Sequence, residues 1–228
     1  MTPPPSETSV RKSAIRVAVL YFGMARSVAL TSPSIQRNLF SFRGNKDIIL
    51  TSLASLNLPQ VIHNPRADEE QVVPDHSEIL DLKSDHFLLS RQLDSAIEKW
   101  LVMAQQKNDV FKNEWISIKN LLHQLVSLKR GWEGLHTIYP EGFDYYLFLR
   151  PDLLYRDPFN LSDLIQNIDC EKAIALPAWH SFRGLNDRLA FAGPIAAKVY
   201  ASRIDLIHRF CAKRPLHAEQ LLAFALSE

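Results

Sequence analysis

Two cysteines in 228 residues are too few for a disulfide framework, and Cys170 and Cys211 lack the paired spacing of a zinc site. They read as two reduced thiols of a cytosolic protein. An excess of one charge is missing as well: 26 basic residues stand against 25 acidic ones, a net charge of +1, where binding to a phosphate backbone calls for a strong positive balance. Nucleic acid is therefore not an expected partner. The longest apolar run near the start, Val17 to Gly23, falls far short of the roughly 20 residues of a membrane-spanning helix, so no transmembrane segment is expected. The opening MTPPPSETSVRK is rich in Pro, Ser and Thr and has no apolar stretch before Ala14. It reads as a disordered tail over 1–14 and not as a secretory signal, which makes the cytoplasm the expected location. There is no internal repeat.

What is present is apolar material, 46% of the chain, enough for a sizeable core in one domain over 15–228. Ile15 to Tyr21 is a nearly continuous β-prone run, as suits a strand covered on both faces in a parallel sheet. A helix is predicted over Ser34 to Phe42 and a second strand over Asp47 to Leu53, a β-α-β opening that favours an α/β fold. Asn57 to Ser84 reads mostly as loop, with one short strand at Val61-Ile62. Apolar spacing predicts amphipathic helices over Phe87 to Gln105 and over Asn113 to Leu128, the second stopping at Gly131. Tyr145 to Leu149 reads as a buried strand ended by Arg150-Pro151-Asp152, and Ala173 to Leu176 as another. An irregular stretch, Pro177 to Asp187, precedes two closing helices at about Pro194 to Cys211 and Ala218 to Leu226. The expected architecture is a mostly parallel central sheet flanked by helices.

In such sheets functional groups gather beyond the carboxyl ends of the strands, and that rule selects three segments. After the first strand, Gly23 lets backbone approach a ligand and Arg26 can pair with phosphate through its planar fork, although a glycine turn beside a surface arginine is the plain alternative. After the central strand, Arg150 and Asp152 sit at the mouth of the sheet. Asp152 can hold a divalent cation that bridges a diphosphate, or the two can form a salt bridge that closes a turn. Asp144, at the start of that strand, belongs to the opposite end. The third segment gathers Trp179, His180, Phe182, Asn186, Asp187 and Arg188, rings for sugar CH faces with groups that bond hydroxyls, or else a surface loop with one buried tryptophan. Glu219 opens the last helix, where the helix dipole alone favours a carboxylate.

At VAVLYFGMARS, FDYYLFLRPDLLY, ALPAWHSFRGLNDRLAFAG and LHAEQLLAFAL the chain resembles the bacterial and viral glycosyltransferases of the A-type fold (GT-A), in particular short enzymes of polysaccharide and lipopolysaccharide synthesis. The resemblance spans most of Ile15 to Leu226 and implies a Rossmann-like, nucleotide-diphospho-sugar transferase fold. It further implies a nucleotide-sugar donor near Gly23 and Arg26, with Arg150 and Arg188 on the same donor, and a saccharide acceptor near Trp179, His180 and Asn186. Asp152 maps to the last carboxylate of an Asp-x-Asp metal element for Mn2+ or Mg2+. The first position of that element is Arg150, so Asp152 would bind the ion singly or through water, or Arg150 would itself neutralise the leaving diphosphate. Asp187 is the preferred base and Glu219 the second choice. Two other functions stay open: a non-catalytic nucleotide- or saccharide-binding protein on a degenerate transferase scaffold, and an interaction module built on the two amphipathic helices, which would leave an apolar stripe exposed.

Overall fold

The computed structural model describes residues 14–40, 46–63, 71–168 and 171–228. The tail over 1–13, the end of the first predicted helix and Cys170 lie outside them. Strand β1 (Ile15–Met24) is the middle of the molecule, and Val17 to Phe22 are fully buried because neighbours cover both edges and both faces. It pairs in parallel with β2 (Ile48–Leu58) on one side and with β6 (Tyr145–Leu149) on the other. β5 (His86–Arg91) continues in parallel beyond β2, while β8 (Leu189–Ala192) runs antiparallel to β6 and β7 (Ile174–Ala175) antiparallel to β8. The six-stranded order is β5-β2-β1-β6-β8-β7, an α/β sheet that is mixed and not wholly parallel. The strands predicted at Ile15 to Tyr21, Asp47 to Leu53, Tyr145 to Leu149 and Ala173 to Leu176 all share it. Separately, β3 (Ile62–His63) and β4 (Gln71–Val72) form a two-residue ladder.

One face of the sheet is covered by α1 (Val28–Asn38), a 3-10 turn at His76–Leu82 and α4 (Leu161–Asn167), through Val28, Ile35, Ile79, Leu82 and Leu161. The other is covered by α3 (Ile116–Ile138), α5 (Pro194–Ser202) and α7 (Ala218–Ser227), through Leu128, Leu135, Tyr200 and Leu222. A third cluster joins α2 (Glu98–Gln105), the first half of α3 and α6 (Ile207–Lys213). Among the described residues no helix is long and apolar enough to cross a membrane.

Several expectations are corrected. Phe87 to Gln105 is not one helix: it is β5, a 3-10 turn at Asp94–Ala96 and then α2. Phe87 packs on one face of the sheet and Leu88 on the other, while Leu89 is exposed, so edge-strand alternation imitated a helical stripe over a short window. Helix α3 does not stop at Gly131 but continues to Ile138. Its glycines serve close packing: a Cβ on Gly131 would lie 2.6 Å from Leu20 Cδ1 and 2.7 Å from Ser55 Cβ. Pro194 to Cys211 is also divided, with a 3-10 segment at Arg203–Leu206. There Arg203 Nη1 takes the Tyr200 carbonyl at 2.6 Å, the group that a continuing α-helix would bond to residue 204. β8 had no sequence signal beyond four small or apolar residues. The stretch read as loop carries the 3-10 turn at His76–Leu82, started by Asp75, whose carboxylate accepts from Ser77 N at 2.8 Å.

Candidate active site

β1 and β6 are adjacent and parallel, so the segments that leave their carboxyl ends meet. Gly23 ends β1 with φ at +104°, a conformation that side chains rarely adopt, and its N–H donates to Ser127 Oγ of α3 at 2.7 Å. The chain then passes Arg26 and enters α1 through Ser27. Helix α1 turns an unusual buried polar face toward the segment that follows β6. Thr31 Oγ1 donates to Pro151 O at 2.5 Å, Ser34 Oγ accepts from Tyr155 N at 3.0 Å, and Asn38 Nδ2 donates to Tyr155 O at 2.6 Å. These bonds satisfy backbone that a short loop would otherwise leave unpaired, and they fix Arg150 and Asp152 in place.

Asp152 is gripped from two sides. Arg150 donates from Nε to Oδ1 at 3.0 Å and from Nη2 to Oδ2 at 2.7 Å, a two-pronged contact within one turn. Arg26, 126 residues away in sequence, donates from Nε to Oδ2 at 2.8 Å. Burial alone would push the Asp152 carboxyl up, but Arg150 and then Arg26 overcome it and hold it at about 2. Two guanidiniums around one carboxylate leave the cluster with an excess of positive charge, and both arginines line the cavity beyond it.

Asp187, also on the cavity wall, precedes β8 and is almost fully buried. Its Oδ2 accepts from Gln124 Nε2 of α3 at 3.3 Å and contacts Arg203 Nη2 at 3.2 Å, while its backbone carbonyl accepts from Tyr200 OH at 2.6 Å. Arg203 is itself completely buried behind the site. Glu219, in the first turn of α7, lies 3.1 Å from His217 Nδ1 and 3.6 Å from Arg188 Nη1. Burial raises the Glu219 carboxyl, and His217 with Arg188 outweighs it, so the group is held below the ordinary carboxylate range. Gly184 makes this possible: a Cβ there would meet the Glu219 backbone at 2.2 Å, and the close approach lets Leu185 N donate to Glu219 O at 2.9 Å.

The cavity holds about 540 Å³, a common size for a small-molecule site. Gly23, Arg26, Arg150, Asp152, Asp187, Arg188 and Glu219 all line it, bringing together segments spread over the whole chain. Trp179, His180 and Asn186 are not on its wall. Asn186 is buried and ties its own loop, donating from Nδ2 to Trp179 O at 2.6 Å and accepting from Arg188 N at 3.0 Å. Trp179 is 54% exposed on the rim, with the Arg188 guanidinium 5.8 Å from its ring centre. Gln124, Arg203, Phe111 and His217 were not singled out from sequence. Gln124 belongs to the polar side of an ordinary helical stripe, and Arg203 lies in no motif.

The residues at Asp152 do not fit a divalent cation. Both carboxylate oxygens already accept from guanidiniums, and an ion placed there would face two fixed positive charges. Among the described residues no group of three or more His, Cys, Asp or Glu side chains converges to share a metal. No protein-family model matches the chain, and no curated protein matches it in sequence.

Proposed function

We propose that the protein is a glycosyltransferase that moves a sugar from a nucleoside-diphosphate donor to a saccharide hydroxyl in the cytoplasm. The observation that carries this reading is one cavity at the carboxyl ends of β1 and β6 lined both by arginines, Arg26 and Arg150 around Asp152 and Arg188 beside Glu219, and by the carboxylates Asp187 and Glu219. The expected resemblance to A-type glycosyltransferases agrees with it. In the reaction the bond from the anomeric carbon to the diphosphate oxygen breaks, the acceptor oxygen forms the new glycosidic bond, and the acceptor proton passes to a carboxylate. Negative charge grows on the departing diphosphate. Arg26, Arg150 and Arg188 supply fixed positive groups for it, which takes the place of the metal that the resemblance implied.

Asp187 is the preferred base because Arg203 and Gln124 hold one of its oxygens in a fixed direction at the cavity wall. Glu219 is the alternative. Release of nucleoside diphosphate from a panel of nucleotide sugars, with mixed oligosaccharides as acceptors, tests the proposal. Acceptor-dependent release should be seen, and Asp187→Asn should slow it roughly 100-fold while donor affinity stays nearly intact. Binding without any release, in wild type and with every acceptor, would instead support a non-catalytic nucleotide- or saccharide-binding protein.

A further inference from the structure

Part of the cavity wall is a group of rings. Phe111 and His217 stack with centres 5.5 Å apart at 25°, and Phe182 stands 6.4 Å from His217. All three line the cavity. The group continues outward through His180, 5.7 Å from Phe182, to Trp179, 5.2 Å from His180. Phe182 is 54% exposed, so its burial in the core does not explain where it sits.

The loops that deliver Phe111 and Phe182 are both strained. Lys112, Glu114 and Trp115 have positive φ in one, and His180, Phe182 and Arg183 have positive φ in the other. Left-handed backbone at non-glycine residues is uncommon, and its concentration in two segments that face one cavity marks a constrained geometry. The first loop is held by Asp109, whose Oδ1 accepts from Phe111 N at 3.0 Å and whose Oδ2 accepts from Asn113 N and Trp115 N, each at 3.0 Å. Beside the rings, two nitrogens shielded from solvent, His217 Nδ1 at 3.1 Å and Arg188 Nη1 at 3.6 Å, face the Glu219 carboxylate.

We infer that Phe111, His217 and Phe182 form a platform for a saccharide ring, with His217 and Glu219 bonding its hydroxyls. Ring faces beside a cluster of polar groups suit a pyranose, whose CH face packs on aromatics while its edge carries hydroxyls. A phosphate has cations of its own at Arg26 and Arg150. Only the role of this saccharide as acceptor rests on the transferase reading; its binding does not.

Saturation-transfer NMR with the methyl glycosides of glucose, galactose, mannose and N-acetylglucosamine tests the platform, with UDP and GDP titrated in parallel. At least one glycoside should receive saturation, and Phe182→Ala and Phe111→Ala should each weaken it about ten-fold without moving diphosphate affinity. Asp109→Asn keeps both rings and loosens the first loop, so it should weaken the same glycoside while thermal unfolding shows the protein folded. The platform is overturned if no glycoside in the panel binds, if the ring variants leave glycoside affinity unchanged, or if they weaken the diphosphate instead. Glycoside binding without diphosphate binding would leave the platform standing and remove the transferase reading.

Discussion

At Asp152 a single carboxylate holds together two chain segments that are far apart in sequence, and its removal has two separable effects. Asp152→Ala leaves Arg26 and Arg150 facing each other in a mostly buried place, which should cost about 3 kcal/mol of stability in denaturant unfolding. The same change should lower diphosphate affinity, because the arginines lose the group that aims them. The pH dependence has a definite sign. The folded carboxyl stands at about 2, below its unfolded value near 4, so its contribution to stability is fully present above about pH 4 and is lost as pH falls toward 2. Wild type should therefore lose stability across that window more steeply than Asp152→Asn, read from unfolding midpoints at each pH. Arg26→Ala removes one charge-assisted contact to phosphate and should weaken UDP or GDP binding by about 1–3 kcal/mol in calorimetry.

At the scale of elements, the helix-sheet spacing is set by residues that carry no side chain. Gly131→Ala places a Cβ 2.7 Å from Ser55 Cβ, an atom fixed to the strand backbone, and should destabilise the protein by about 1–3 kcal/mol in denaturant unfolding. Gly134→Ala meets the far end of Leu88 on edge strand β5, which can move aside, so its cost should be smaller. Sequence alone could not distinguish these glycines from a helix stop, because the reason for them lies in Leu20 and Ser55 on other strands. Where burial is continuous the strands were legible: Val17 to Tyr21 and Tyr145 to Leu149 are apolar throughout because both faces are covered. Where one face is open, as in β5, two periods fit the same few residues and the wrong one looked better. Gly23, Arg26, Arg150 and Asp152 were legible as candidates beyond strand ends, whereas Trp179, His180 and Asn186, read as sugar contacts, do not line the cavity. The pairing of site residues was not legible, since Arg26 with Asp152 and Asp187 with Arg203 are contacts that only the folded chain creates.

For the whole molecule, the sheet order places β1 beside β6, and this adjacency gathers Gly23, Arg26, Arg150 and Asp152 at one edge, with α7 bringing Glu219 from the far end of the sequence. The apolar stripe of α3, the longer of the two helices considered for an interaction module, is buried in Leu121, Leu122, Leu125 and Leu128. That burial favours a role in the core over a docking face. A diphosphate site whose positive charge comes from arginines of the chain needs no metal to bind. Calorimetric titration of UDP and GDP into the intact protein, once with EDTA and once with Mn2+, decides this. At least one of them should bind in EDTA with an affinity close to that in Mn2+; binding that appears only with the metal, or no binding in either condition, would show that the arginines do not form such a site.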